Sequence, residues 1–140
     1  MTEPHPAVLA SENSAKYAMA GDKAAWVALF AEDAFLADPV GPSPFDPKGE
    51  GFSGKAGVEK FWDKAIGPST LNIKATSRIP CANVCAAHMT VTNDLGRGKS
   101  TVTEMIGIYE VNEEGLLSSL KVYWSFPALA KQLKELGFGA

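Results

Sequence analysis

The sequence predicts an α+β fold in which three N-terminal helices pack on a curved, mainly antiparallel sheet. Apolar residues recur at the three- to four-residue spacing of helices up to about residue 66. After Pro68 they recur every second residue, as in half-buried strands. Helices followed by a run of strands are typical of α+β proteins. A curved sheet that is closed by helices on one face leaves an apolar pocket between the two layers.

Residues 6–20 predict the first helix, which is expected to end at Gly21. Asp22 is well placed to cap a second helix. The apolar residues of this second helix have the i, i+3, i+4 spacing of one buried face and are Trp26, Leu29 and Phe30.

Residues 35–38 predict a short strand, because Pro39 biases Asp38 away from helical conformation. The prolines and glycines between residues 41 and 52 indicate a loop. Ser53 is expected to cap the third helix. The apolar face of that helix comprises Val58, Phe61, Trp62 and Ala65.

The second half of the chain predicts four strands and a short terminal helix. The run 101–111 is apolar on both faces and is expected to be the central strand, while Pro127 is expected to open the helix. In the last strand Leu116 is expected on the inward face. The strands are predicted over residues 71–79, 84–92, 101–111 and 116–124.

Length and composition fit one soluble domain over residues 1–140, since 46% of the residues are hydrophobic and 21% are charged. The net charge of −3 and the lack of a basic cluster argue against a nucleic-acid partner. No apolar run is long enough to span a bilayer, and residues 1–6 lack the pattern of a secretion signal. We therefore expect no membrane partner and a cytoplasmic location.

Several short motifs resemble the bacterial ketosteroid isomerases, which belong to the superfamily of nuclear transport factor 2 and its SnoaL-like branch. The most specific is an aspartate followed by Pro-Val-Gly. The similarity spans nearly the whole chain. The motifs are Ala20-Gly21-Asp22, the run 28–34, Asp38-Pro39-Val40-Gly41 and Ser53-Gly54-Lys55. The resemblance implies a conical fold that commonly forms a homodimer through the outer face of the sheet.

The resemblance also implies that Asp38 is the catalytic base. Beside their aspartate base, the isomerases have an oxyanion hole made of a tyrosine and a protonated aspartic acid. Here the matching positions hold Ser14 and Gly107, so both donors are missing. Tyr17, one helical turn after Ser14, is the preferred substitute donor, and Tyr109 is a second one on the strand face of Gly107.

The remaining candidates for substrate binding are large apolar residues, which are also plausible as ordinary core. Trp124 is expected on the pocket wall because Leu120 and Val122 alternate with it on the inward face. It also matches a cavity-lining aromatic residue of the isomerases. The other candidates are Trp26, Phe30, Trp62, Met89 and Met105.

His88 is expected to point outward, because Cys85, Ala87, Met89 and Val91 form the apolar face of its strand. Glu104 and Glu110 are likewise expected to lie opposite the pocket. The loop 42–52 carries Phe45 and Phe52 and is either a lid over the mouth or a rigid surface loop. Cys81 and Cys85 are interpreted as reduced structural thiols near a turn.

The leading hypothesis is an isomerase that acts on a hydrophobic, steroid-like ketone with Asp38 as base and Tyr17 as donor. No metal or organic cofactor is implied. One alternative is a non-catalytic protein that binds a steroid or another hydrophobic small molecule. Another is a hydratase or cyclase of the same superfamily, which would require His88 or another polar group beside Asp38 in the cavity.

Overall fold

The computed structural model describes residues 4–138 and has the predicted α+β architecture. The helices are α1 (Pro6–Ala20), α2 (Lys23–Val27), α3 (Gly54–Phe61), which continues as a π-helical turn over Trp62–Ile66, and α4 (Phe126–Glu135). The strands are β1 (Phe30–Ala37), β2 (Phe52–Ser53), β3 (Leu71–Cys81), β4 (Val84–Gly96), β5 (Lys99–Val111) and β6 (Leu117–Tyr123). Within residues 4–138, every helix is too short or too polar to cross a membrane.

The six strands form one curved, unclosed sheet in the order β2-β1-β6-β5-β4-β3. Neighbouring strands are antiparallel except β1 and β6, which run parallel. In that parallel pair Leu36 lies beside Leu120 and Ala37 beside Lys121. The first and last long strands therefore end at the same edge of the fold, and this brings together the residues that follow them.

The predicted boundary between the first two helices is confirmed. Gly21 adopts a left-handed conformation with φ of 69°, and its N–H donates to the carbonyl oxygen of Ala18. This conformation carries no steric penalty for glycine. The carboxylate of Asp22 then accepts the N–H of Ala25 at 3.1 Å, so it caps α2 as expected.

The placement of Phe30 on the second helix is wrong. Helix α2 ends at Val27, and Phe30 is instead the first residue of β1, where it pairs with Leu117. The N–H of Leu117 also donates to the carbonyl oxygen of Leu29 at 2.8 Å, so pairing with β6 fixes this segment in extended form. The spacing nevertheless identified two residues that pack together in the core, because the rings of Trp26 and Phe30 lie 4.8 Å apart.

The inward residue at the start of β6 is Leu117 rather than Leu116. Leu117 is completely buried, whereas Leu116 is half-buried. The β5–β6 register shifts between Glu110 and Val111, and one extra residue reverses which side chains face the core.

The inner face of the sheet packs on the helices, and the outer face carries a mixed surface. Cys85, Ala87, Met89 and Val91 are buried as predicted. His88 lies on the outer face, where its Nε2 is 2.6 Å from a carboxylate oxygen of Glu104. The predictions for both residues, and for exposed Glu110, are confirmed. The exposed apolar residues of this face include Ile79, Val102, Ile106 and Tyr123, and pairing of two copies through it stays a prediction.

Candidate active site

A largely apolar cavity, open at its mouth, lies between the helices and the inner face of the sheet. Its predicted wall residues are Ser14, Trp26, Asp38, Met89, Met105, Tyr109 and Trp124. The other lining residues are Ala15, Ala18, Phe45, Phe61, Ala65, Ile66, Ser69, Leu71, Ile73, Val91, Asn93, Thr101, Thr103, Leu120, Val122 and Leu129.

Asp38 directly follows β1 and faces this cavity. The indole N–H of Trp124, which directly follows β6, donates to its Oδ1 at 2.6 Å. Burial raises the pKa of Asp38 to about 6, and the hydrogen bond from Trp124 partly opposes the effect. The arrangement yields a carboxylate that is ionised at neutral pH and is more basic than an ordinary aspartate.

Tyr109 fills the place where sequence matching puts the protonated aspartic acid of the isomerases. A Cβ atom at Gly107 would lie 2.8 Å from Cε1 of Tyr109 and 3.0 Å from Cε of Met89. Only glycine leaves room for the phenol ring to lie over this part of β5. Gly107 itself is buried beneath the ring and does not line the cavity.

Ser14 lies on the cavity-facing side of α1 and is hydrogen-bonded to another predicted wall residue. Its Oγ accepts the indole N–H of Trp26 at 3.1 Å. Because that bond occupies a lone pair of Ser14, its own O–H remains able to donate into the cavity.

Tyr17 does not line the cavity. The side of α1 that does so carries Ser14, Ala15 and Ala18. With 3.6 residues per turn, Tyr17 lies about 100° around the helix from the centre of that group. It is half-buried against the core, and Nζ of Lys16 is 5.7 Å from its ring centre. The expected position of Tyr17 on the cavity wall is therefore wrong, and its role as donor stays a prediction.

Two more of the predicted binding residues form a layer behind the wall. Phe30 and Trp62 are buried, and their ring centres lie 4.8 and 5.4 Å from that of Trp26. Both support the indole of Trp26 from behind and do not line the cavity. Their packing is the ordinary-core alternative that the sequence left open.

The loop 42–52 contributes Phe45 to the cavity wall, whereas Phe52 lies in the core. Phe52 belongs to β2, and its ring centre is 5.4 Å from that of Phe61. Asp46 braces the loop by accepting the backbone N–H groups of Glu50 and Gly51 at 3.2 and 2.7 Å. Closure of the loop over the mouth stays a prediction. Of the two aromatic residues in the loop, Phe45 is the one that could take part, because Phe52 is buried in the core.

Three polar residues of the cavity wall, at the far end of the sheet, were not predicted from the sequence. Asn93 and Thr101 lie opposite each other on β4 and β5, and Ser69 lies nearby on the wall. Alternation along the strands could have placed these residues on the inner face, but residues 93–98 were predicted to form a turn instead of continuing the strand. In the part of the chain that the structure describes, no three histidine, cysteine or acidic side chains converge as a metal site would require.

Comparison with known proteins agrees with this architecture. The chain is 28% identical over 109 residues to a Steroid Delta-isomerase of Nocardioides simplex, which covers 75% of this chain and 78% of the relative. It is 31% identical to the crystal structure of a Delta 5-3-ketosteroid isomerase from Mycobacterium sp., with a TM-score of 0.81 and coverage of 89% and 97%.

A second structural relative is RV0760c from Mycobacterium tuberculosis. It is 29% identical, with a TM-score of 0.85 and coverage of 91% of this chain and 97% of the relative. The same protein has a structure in complex with estradiol-17beta-hemisuccinate, which matches at a TM-score of 0.82. The family model of the SnoaL-like domain matches residues 15–120. This chain therefore belongs to the SnoaL-like domain family, within the superfamily named after nuclear transport factor 2.

Proposed function

We propose that the protein is an isomerase that moves a carbon–carbon double bond in a hydrophobic, steroid-like ketone, with Asp38 as the proton carrier. The observation that carries the proposal is a carboxylate facing an apolar cavity, held by the indole of Trp124 at 2.6 Å. With a pKa of about 6, Asp38 is deprotonated at neutral pH and still basic enough to accept a carbon-bound proton.

In the proposed reaction, Asp38 removes a proton from the carbon between the ketone and the double bond. The electron pair of that C–H bond forms an enolate, whose negative charge lies largely on the former ketone oxygen. The protonated Asp38 then returns the proton to the far carbon of the conjugated system. One C–H bond breaks and one forms, so the substrate keeps its composition and Asp38 regains its charge.

The cavity favours an elongated apolar ligand with an oxygen at each end. Asp38 and Tyr109 line the cavity together with apolar residues, and Asn93 and Thr101 line it near the other end of β5. Thr101 and Tyr109 are eight residues apart on one strand, and Met105 lies between them on the apolar part of the wall.

The substitution Asp38→Asn tests the proposal. It should lower the conversion of a steroid 5-ene-3-ketone to the conjugated 4-ene by at least about 100-fold, because the amide cannot accept the proton. The conjugated product absorbs strongly in the ultraviolet, so absorbance measures the rate. Binding of the product steroid, measured by calorimetry, should persist.

The matched control is Asp33→Asn, since Asp33 lies on β1, the strand that Asp38 follows, and is exposed. This variant should turn over like the unaltered protein. Retained turnover in Asp38→Asn, or equal losses in both variants, would contradict the assignment of Asp38.

A second candidate is a binding protein without catalytic activity. Two observations favour it: the positions of the two strong oxyanion donors hold Ser14 and Gly107, and the relative RV0760c has a structure with estradiol-17beta-hemisuccinate. Loss of one such donor typically costs about 100- to 1,000-fold in rate. Under this alternative the unaltered protein binds the steroid and produces no ultraviolet change.

The hydratase or cyclase alternative has less support. It requires His88 or another polar group beside Asp38, and His88 is exposed on the outer face of the sheet with Glu104 and Thr76 as its partners. The hydrogen-bond partner of Asp38 is an indole N–H, which donates a hydrogen bond and does not accept a proton.

A further inference from the structure

Tyr109 is a buried phenol whose proton has only a weak acceptor. The residue is 3% exposed, and its hydroxyl donates to Sδ of Met89 at 3.5 Å. A thioether sulfur accepts hydrogen bonds poorly compared with a ketone oxygen. A ligand oxygen that reaches this part of the cavity would therefore compete well for the phenol proton.

A buried serine connects this phenol to a positive charge. Nε of Arg78, on β3, donates to Oγ of Ser11 on α1 at 3.0 Å, and Ser11 is completely buried. Ser11 is also the hydrogen-bonding group that lowers the pKa of Tyr109. Because the guanidinium occupies a lone pair of Ser11, the Ser11 proton is free to point toward the phenol oxygen.

The charge of Arg78 acts on the phenol. Burial first, and then the negative charge of Asp38, raise the pKa of Tyr109 to about 12, whereas the Ser11 hydrogen bond and the charge of Arg78 act to lower it. Tyr109 thus stays protonated at every physiological pH and remains a donor. Among residues 4–138, no carboxylate lies within ion-pair distance of Arg78 to neutralise that charge.

We propose that Tyr109 donates the hydrogen bond that stabilises the developing enolate oxygen, and that Arg78 strengthens this donor through Ser11. The inference rests on the proposed function. Tyr109 would be a catalytic residue, since it touches the reacting oxygen. Ser11 and Arg78 are positioning residues, which polarise the phenol from behind the wall. Hydrogen bonds in such a chain strengthen one another, most when one end is charged.

Gly107 is the feature that permits this arrangement. Any Cβ at this position would come within 2.8 Å of the Tyr109 ring and displace it. The position that holds an acidic side chain in the isomerases is a glycine here, and this glycine leaves room for the phenol of Tyr109 two residues away. Tyr109 thus provides a substitute donor on the strand, in addition to the Ser14 hydroxyl on the first helix.

The bound spectrum of equilenin tests the inference without turnover. Equilenin is a steroid whose naphthol changes its ultraviolet absorption and fluorescence when it ionises, and its naphtholate resembles the enolate. The measurement uses the Asp38→Asn chain, where no carboxylate opposes the anion. The bound naphthol should ionise at a lower pH than in water.

Adding Tyr109→Phe should raise the pH of ionisation by about 2 units, equivalent to the 100-fold loss expected for one such donor. Adding Ser11→Ala or Arg78→Met should raise it by about 1 unit, and Arg78→Lys by less, because lysine keeps the charge. The control Lys74→Met removes a positive charge from an exposed position of the same strand and should change nothing.

An unchanged ionisation in Tyr109→Phe would overturn the donor assignment, and a change there without one in Arg78→Met would overturn the relay. Failure of equilenin to bind would also overturn the inference. Circular dichroism and thermal melting establish that each variant is folded. Because the probe does not react, a chain that binds without isomerising passes this test and fails the absorbance assay, so the two proposals are judged separately.

Discussion

At the scale of single residues, two opposing effects set the basicity of Asp38. Burial disfavours its charged form, and the hydrogen bond from Trp124 favours it. The balance leaves the pKa at about 6, near the value that suits a general base at neutral pH. Trp124 therefore tunes the pKa of Asp38, the proposed proton carrier, as well as forming part of the cavity wall.

The substitution Trp124→Phe should move the acidic limb of the pH–activity profile upward by about 1 pH unit. Removal of the indole N–H takes away the interaction that lowers the pKa of Asp38, and a hydrogen bond to a charged group contributes about 1.5–3 kcal/mol. Because the carboxylate is the active form in the proposed reaction, activity at pH 6 should fall more than activity at pH 8. Steady-state rates across pH 4–9 measure the shift.

Trp26→Phe is the control for this profile. It removes an indole N–H from the same cavity, but that group donates to Ser14. Its acidic limb should stay where it is in the unaltered protein, whatever happens to the rate. A downward shift in Trp124→Phe would contradict the role of the hydrogen bond.

Individual site residues differed in how far the sequence could predict them. Trp124 was predictable because strand alternation has a period of two and Leu120 and Val122 mark the inner face. Tyr17 was harder, since an error of one residue on a helix rotates a side chain by 100°. The contact of Tyr109 with Ser11 was not predictable, because α1 and β5 are separated by most of the chain.

At the scale of elements, the loop before β2 is held by a close approach of backbone to side chain. Gly51 has φ of 80°, and a Cβ there would lie 2.4 Å from Cζ of Phe35 and 3.1 Å from the carbonyl oxygen of Leu36. Leu36 belongs to the strand that ends next to Asp38. Gly51 thus brings the loop that carries Phe45 against the strand that precedes Asp38.

Comparison of Gly51→Ala with Gly115→Ala separates conformational strain from steric overlap. Gly115 has nearly the same φ, 79°, but a Cβ there meets nothing within 4 Å. Gly115→Ala should cost about 1 kcal/mol of unfolding free energy from backbone strain alone. Gly51→Ala should cost a further 1–3 kcal/mol, because the Phe35 ring must move. Urea unfolding gives both values, and equal costs would contradict the close approach.

Element types were largely predictable, whereas some boundaries depended on partners distant in sequence. The cap at Asp22 and the stop at Gly21 are local features, so they were correct. The segment at Phe30 has helical spacing but becomes a strand because β6 supplies hydrogen bonds to it. The bulge that turns Leu117 inward is likewise a property of the β5–β6 pair, which one strand's pattern does not contain.

At the scale of the whole molecule, the negative charge of Asp38 lowers the free energy of unfolding. The pKa of Asp38 is about 6 in the folded protein and about 3.9 in an unfolded chain, so the folded state binds the proton more tightly. The resulting stabilisation is fully present below about pH 4 and is lost as the pH rises through 6. Its size is about 3 kcal/mol, an order-of-magnitude value.

Asp38→Asn should therefore melt at a higher temperature than the unaltered protein at pH 8, by roughly 10 °C, and by much less at pH 4. The amide has no charge to desolvate, so its stability should not follow this titration. Differential scanning calorimetry at the two pH values measures the difference. A gap that is the same at both pH values would show that the charge of Asp38 is not the cause.

The parallel pairing of β1 with β6 also has a consequence for the order in which the chain folds. Asp38 and Trp124 are 86 residues apart, and they meet only when the first and last long strands lie side by side. Contacts between distant segments form late, because a large loop must close first. During synthesis β1 leaves the ribosome with an unpaired edge until β6 follows. Asp38 and Trp124 are thus among the last contacts of the molecule that a growing chain can assemble.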